Sequence, residues 1–108
     1  MMPATVDLCL YRGDTFEQSM MFTTPEGDAI PLPATGWRAW ADVQSEDTEY
    51  VVFDVDTTGA DDGVLVLRLT AEQTALIEWG GTYDVEHGGD TVRTWVRGAV
   101  AVTRDVTR

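Results

Sequence analysis

The groups in this chain best suited to chemistry are carboxylates. The run Asp54-x-Asp56-x-Thr58-Gly59 matches the opening positions of a calcium loop, with Asp62 at the ninth position and Asp61 beside it. Such a loop closes on a bidentate glutamate at its twelfth position, where this chain has Leu65, and no flanking helices are predicted. Asp54, Asp56, Asp61 and Asp62 are therefore secondary metal candidates, read first as a solvated acidic turn, and no metal or other cofactor is expected. Hydrolytic chemistry has little to work with. His87 is the only histidine, Ser19 and Ser45 are the only serines, and no spacing joins nucleophile, base and orienting group. The pairs Asp54/Asp56 and Asp84/Glu86 could share a strand face as glycosidase carboxylates do, but solvated strands look the same. Arg12-Gly13-Asp14 spells an adhesion tripeptide, which a glycine-centred turn explains without a partner. No enzyme is expected.

Recognition offers more. Trp40 and Trp95 each fall on the polar side of a strand alternation, with Arg38, Arg93 and Arg97 on the same faces. Aromatics and arginine are enriched at protein interfaces, so these five residues are the candidate interface; the other reading makes Trp40 core in a strand covered on both faces and stacks Trp95 on a neighbouring arginine. On that reading Trp95→Ala weakens association and leaves the fold intact. The segment from Ala39 to Leu67 adds eight acids and no base, a field suited to a basic partner or simply to solubility.

The elements that must position these groups are mostly strands. Asp7 to Tyr11 and Phe16 to Thr24 read as a hairpin about Arg12-Gly13-Asp14. Pro25-Glu26-Gly27-Asp28 is a turn, and Pro31 and Pro33 keep the next segment extended. Trp37 to Ser45 has period two, with Trp37, Ala39, Ala41 and Val43 on the inner face; Glu46 to Glu49 is an acidic turn, and Tyr50 to Asp56 continues as a strand. Val64 to Leu69 is apolar enough for a central strand buried on both faces. Thr70 and Gln73 then form a capping-box pattern opening a short helix over about 71–79, with Leu76, Ile77 and Trp79 as its packing residues and Gly80-Gly81 as its stop. Thr82 to His87 and Thr91 to Arg97 form a hairpin about Gly88-Gly89-Asp90, and Gly98 breaks or bulges the last run before Ala99 to Thr103.

Seven to eight short antiparallel strands with one helix predict a β-sandwich. The 108 residues fit a single domain, 1–108. A net charge of −12, from 19 acids against 7 arginines, argues against nucleic acid as a partner. No signal peptide or membrane-spanning run is apparent, which predicts synthesis in a cytoplasm and no membrane partner. The single Cys9 excludes an internal disulfide and reads as a small buried hydrophobe.

Taken together, Tyr11-Arg12-Gly13-Asp14-Thr15-Phe16, Gly36-Trp37-Arg38-Ala39-Trp40-Ala41, the run from Gly63 to Thr74, Gly81-Thr-Tyr-Asp-Val-Glu and the ending from Gly98 resemble small β-sandwich domains of tailed-phage virions. The group includes the N-terminal domain of baseplate upper proteins and long-tail-fibre-associated domains. The resemblance implies an immunoglobulin-like sandwich and a non-enzymatic structural role in a virion, as a tail or baseplate component or a capsid accessory (decoration) protein. The partners implied are other virion structural proteins, with self-association in a symmetric assembly. The alternative, from the residues, is a calcium- or carbohydrate-binding sandwich module.

Overall fold

A computed structural model describes residues 4–43, 50–77, 80–88 and 92–103. Nine short strands and one helix follow in order: β1 (Ala4–Thr5), β2 (Leu8–Tyr11), β3 (Phe16–Met21), β4 (Trp37–Val43), β5 (Tyr50–Val52), β6 (Asp54–Asp56), β7 (Val64–Leu69), α1 (Ala71–Ala75), β8 (Gly81–His87) and β9 (Arg93–Thr103). They form a β-sandwich. The larger sheet runs β1-β9-β8-β4-β5 with β2 also on β9, and the smaller runs β3-β7-β6. The expected strand end Gln44-Ser45, the acidic turn Glu46 to Glu49, Trp79, the turn residues Gly89-Asp90 and Thr91 lie outside the described residues, as does the side chain of Val43.

Alternation builds the core. Leu8, Leu10, Ala39, Ala41, Tyr83, Val85, Val96 and Val100 come from the larger sheet, and Met20, Leu65, Leu67 and Leu69 from the smaller, all buried. Leu32 and Ile77, from outside the strands, join the same core. β7 is central in its sheet, but only Leu65, Leu67 and Leu69 are buried, while Val64, Val66 and Arg68 are half-covered. The expected burial on both faces fails because, among the described residues, no layer covers the outer side of the smaller sheet.

Not all strands are antiparallel as expected: β1 and β2 run parallel to β9. Nor do β2 and β3 make the expected hairpin, since β3 pairs with β7 in the other sheet. The Arg12-Gly13-Asp14 turn instead carries the chain across the sandwich, fastened to α1. The buried Thr74 hydroxyl accepts from Gly13 N–H at 3.0 Å and lies 2.8 Å from the Asp14 carbonyl, while Arg12 Nε donates to Ala75 O at 3.0 Å. The tripeptide is therefore engaged in the fold.

α1 opens as expected. Gln73 N–H donates to Thr70 Oγ1 at 3.1 Å and Thr70 N–H to Gln73 Oε1 at 2.8 Å, satisfying two end donors. The helix stops at Ala75, sooner than the spacing suggests, with Ile77 buried and Leu76 left exposed. Gly80, at φ +83°, then turns the chain against the Val100 carbonyl, where a Cβ would overlap it.

β1 and β2 keep one register on β9, Ala4 opposite Val96 and Leu8 opposite Val100, so they are one strand interrupted at Val6-Asp7. At the interruption the Val6 carbonyl sits over Gly98, in the space a Cβ would fill, and accepts the Tyr83 hydroxyl. Asp7 Oδ1 takes the Ala99 N–H at 3.0 Å, satisfying a donor in the interrupted stretch. Gly98 thus does not break β9, which runs through it; it makes room for the kink in its neighbour. The same alternation that buries Leu8 and Leu10 turns Cys9 outward, so the cysteine is exposed rather than buried.

Burial pushes the Tyr83 phenol up to about 12, and the Asp7 carboxylate adds to the shift. The fold holds the neutral phenol, so its stabilisation is complete below the ordinary value of 10.0 and is lost as pH rises toward about 12. Urea denaturation at about pH 9 and about pH 11 should show this loss in the native chain. Tyr83→Phe should remove the phenol's share of it, at a cost of about 1 kcal/mol at neutral pH for the lost hydrogen bond.

Candidate interaction surface

The outer face of the larger sheet is built by the period-two alternation that buries Ala39 and Ala41. Arg38, Trp40 and Asp42 of β4 stand outward beside Glu86, Asp84 and Thr82 of β8 in register. Arg97 continues the Trp40–Asp84 row on β9, and Val52 begins it on β5. Arg38 Nη2 lies 3.4 Å from Glu86 Oε1 and Arg97 Nε 4.0 Å from Asp84 Oδ1. Their guanidinium side chains are 58% and 60% exposed, so these contacts orient the arginines without withdrawing them from solvent.

A β-bulge separates the other two interface candidates. The β8–β9 register passes from Val85 opposite Val96 to Glu86 opposite Thr94, leaving Trp95 as the extra residue. Two residues opposing one turn the bulged side chain toward the layer its neighbour faces. Trp95 packs against the core, 5.8 Å from the Phe22 ring and 5.4 Å from Trp37, both edge-on. The expected outward placement of Trp95 is therefore corrected. Arg93, beyond the bulge, is opposite His87 on the Trp37 row, away from the face that holds Arg97. Of the five candidates, Arg38, Trp40 and Arg97 share a surface; Trp95 and Arg93 do not belong to it.

Reading the alternation alone missed Tyr50 and Val52, which are 56% and 53% exposed and continue the apolar character of half-buried Trp40 at the sheet edge. A signal existed: both share parity with Asp54 and Asp56 on an otherwise polar strand side. The free side of β5 is partly closed by Gln73, whose Nε2 donates to Val52 O at 2.9 Å, so α1 caps an edge that could otherwise pair with another strand.

The acidic run is dispersed by the fold. Asp54 and Asp56 lie on the outer face of the smaller sheet beside Arg68. Arg68 Nη1 contacts Asp56 Oδ2 at 2.5 Å and Arg68 Nε contacts Glu17 Oε2 at 2.8 Å. The Arg68 hydrogen bond, helped by the Thr58 N–H at 2.8 Å, holds the Asp56 carboxyl well below the usual carboxylate range, and Asp56 and Glu17 in turn raise Arg68. Asp61 and Asp62 occupy an exposed 3-10 turn over Ala60–Asp62. Among the described residues no three histidine, cysteine or acidic side chains gather as metal ligands would. His87 ends β8, its Nε2 2.9 Å from Thr35 O and its ring 5.0 Å from Trp37.

Because Trp95 fills space between Phe22 and Trp37, Trp95→Ala should destabilise the isolated domain by about 2–3 kcal/mol. Urea denaturation followed by circular dichroism measures this, and a change below about 0.5 kcal/mol would return Trp95 to the surface.

Comparison with known proteins gives one family. No curated protein matches the chain. Among solved structures, chimeric titin Z1Z2 functionalised with a KLER exogenous peptide from decorin aligns at 16% identity, covering 92% of this chain and 89% of that one with a TM-score of 0.45. A family model described as LtfC-like, beta-sandwich domain matches residues 2–103. The chain accordingly belongs to the LtfC-like β-sandwich domain family, a phage long-tail-fibre-associated family.

Proposed function

We propose that the chain is a non-enzymatic structural subunit of a tailed-phage virion, acting through protein contacts in the tail, at the baseplate or on the capsid as a decoration protein. The family match over residues 2–103 carries this reading, since it aligns the chain with tail-fibre-associated sandwiches from end to end of the described fold. The surface supports it. Trp40, Tyr50 and Val52 give an outward apolar strip beside exposed Arg38 and Arg97, the residue types that anchor protein interfaces. Among the described residues catalysis finds no comparable support; Ser45 lies outside them. Ser19 belongs to the smaller sheet and His87 to the larger, where His87 is engaged with Thr35 and Trp37. The metal-dependent module loses Asp56, which is committed to Arg68.

Within the virion the partners are other structural proteins, or further copies of this chain related by symmetry. The excess of acids sets such a surface against basic neighbours and away from nucleic acid.

Mass spectrometry of purified particles from the producing phage should contain the chain in stoichiometric amount. Trp40→Ala should lower its incorporation about tenfold, as loss of an interface anchor does. The same variant should keep a cooperative unfolding transition, because Trp40 is only half-buried. Particles that lack the chain, or take up the variant as well as the native protein, would refute the assignment of this role or of this face.

A further inference from the structure

We infer that a groove beside the first half of β4 receives an arginine side chain carried on an extended segment of a neighbouring protein. β4 spans Trp37–Val43, but among the described residues β5 pairs with Trp40 to Asp42 of it. After Val52 the chain leaves the larger sheet: Phe53 N–H still donates to Ala39 O at 2.9 Å, and the Asp54 backbone already stands opposite Arg68 in the ladder of the smaller sheet. The departure opens a groove of about 400 Å³ lined by Trp37, Trp40, Tyr50, Val52, Phe53 and Asp54.

Two features of this groove select its occupant. On its outward side stand half-buried Trp40 and exposed Tyr50, and aromatic rings attract a cation, a planar guanidinium best of all because it can also stack. The second is charge. On the outer face of the larger sheet Asp84 and Glu86 are each matched with an arginine, and Asp56 is held by Arg68. Asp54 at the groove and Asp42 in the adjoining row are exposed and make no ion pair among the described residues. The unmatched negative charge thus sits beside these aromatic residues. Arg38 also borders the groove, but its guanidinium is oriented by Glu86.

The backbone specifies an extended segment. In an antiparallel ladder alternate residues present both their polar groups to the same side. Ala39 faces the β5 side through its bond to Phe53, so Trp37 faces that side too, beyond the end of β5. A strand entering there would extend the sheet while placing an outward side chain beside Trp40 and Tyr50. This deepens the structural role proposed above and depends on it only for the neighbour's being a virion protein.

The test is a titration of the full ¹⁵N-labelled chain with a blocked Thr-Arg-Val-Arg-Thr peptide and with its Thr-Glu-Val-Glu-Thr counterpart, read by amide chemical shifts. The arginine peptide should shift Trp37 to Trp40 and Tyr50 to Val55 at about 1 mM, and the glutamate peptide should not. Asp54→Asn should weaken the binding about fivefold, as should Tyr50→Ala, and both side chains are exposed enough to leave the fold unchanged. No shifts, shifts elsewhere, equal binding of the glutamate peptide or indifference to both variants would overturn the inference. A chain that enters particles but ignores the peptide keeps its structural role and loses the groove. One that binds the peptide but is absent from particles does the reverse.

Discussion

The fold depends on one steric constraint, the passage of the N-terminal strand over Gly98. Parallel pairing between the N-terminal strand and β9 joins residues 92 positions apart, so it carries a large loop-closure cost. At Val6 the backbone comes so near β9 that no side chain can stand beneath it. The polar groups displaced by the kink are taken up by Tyr83 and Asp7. An apolar residue at either position would leave a carbonyl or an amide without its partner, at roughly 1–3 kcal/mol each where it is shielded from water. Closing the strand on β9 also sets Leu8 and Leu10 into the core opposite the smaller sheet.

From β9 the constraint passes to the surface. One strand holds the N-terminal pair along one edge and β8 along the other, and its bulge decides which side chains face outward. Trp95 is drawn in to fill the end of the sandwich against Trp37 and Phe22, while Arg97 stays out with Trp40 and Arg38. At the opposite edge the chain leaves the larger sheet at Phe53, which joins the layers through its contacts with Phe16 and Tyr83 and leaves β4 half uncovered. An incomplete edge of this kind suits the structural role proposed above.

Much of this was legible in the residues where structure is local. The Thr70–Gln73 capping box, the inward Ala39 and Ala41, the β8–β9 pairing and the turn at Pro25 to Asp28 each follow from chemistry within a few positions, and Gly27 takes the positive φ that its turn requires. What was not legible is what depends on distant chain. Nothing near Asp7 to Tyr11 distinguishes a hairpin with β3 from a parallel ladder with β9. Likewise nothing near Trp95 marks the bulge, because strict alternation assigns it the face of Arg97. Gly98 was visible as an irregularity, but its cause lies in Val6, 92 positions earlier. The candidate surface was read in part: Arg38, Trp40 and Arg97 hold together, and Tyr50 and Val52 join them only because β5 pairs where it does.

The measurement that bears most directly on this account is the stability of Gly98→Ala, by urea denaturation with hydrogen exchange at the amides of β2. A methyl group at this position must push Val6 away, so the variant should lose about 2–3 kcal/mol, with faster exchange at Leu8 and Leu10 as the edge strand lifts from β9. A variant within about 0.5 kcal/mol of the native protein, with β2 exchange unchanged, would show that the N-terminal strand does not close over Gly98.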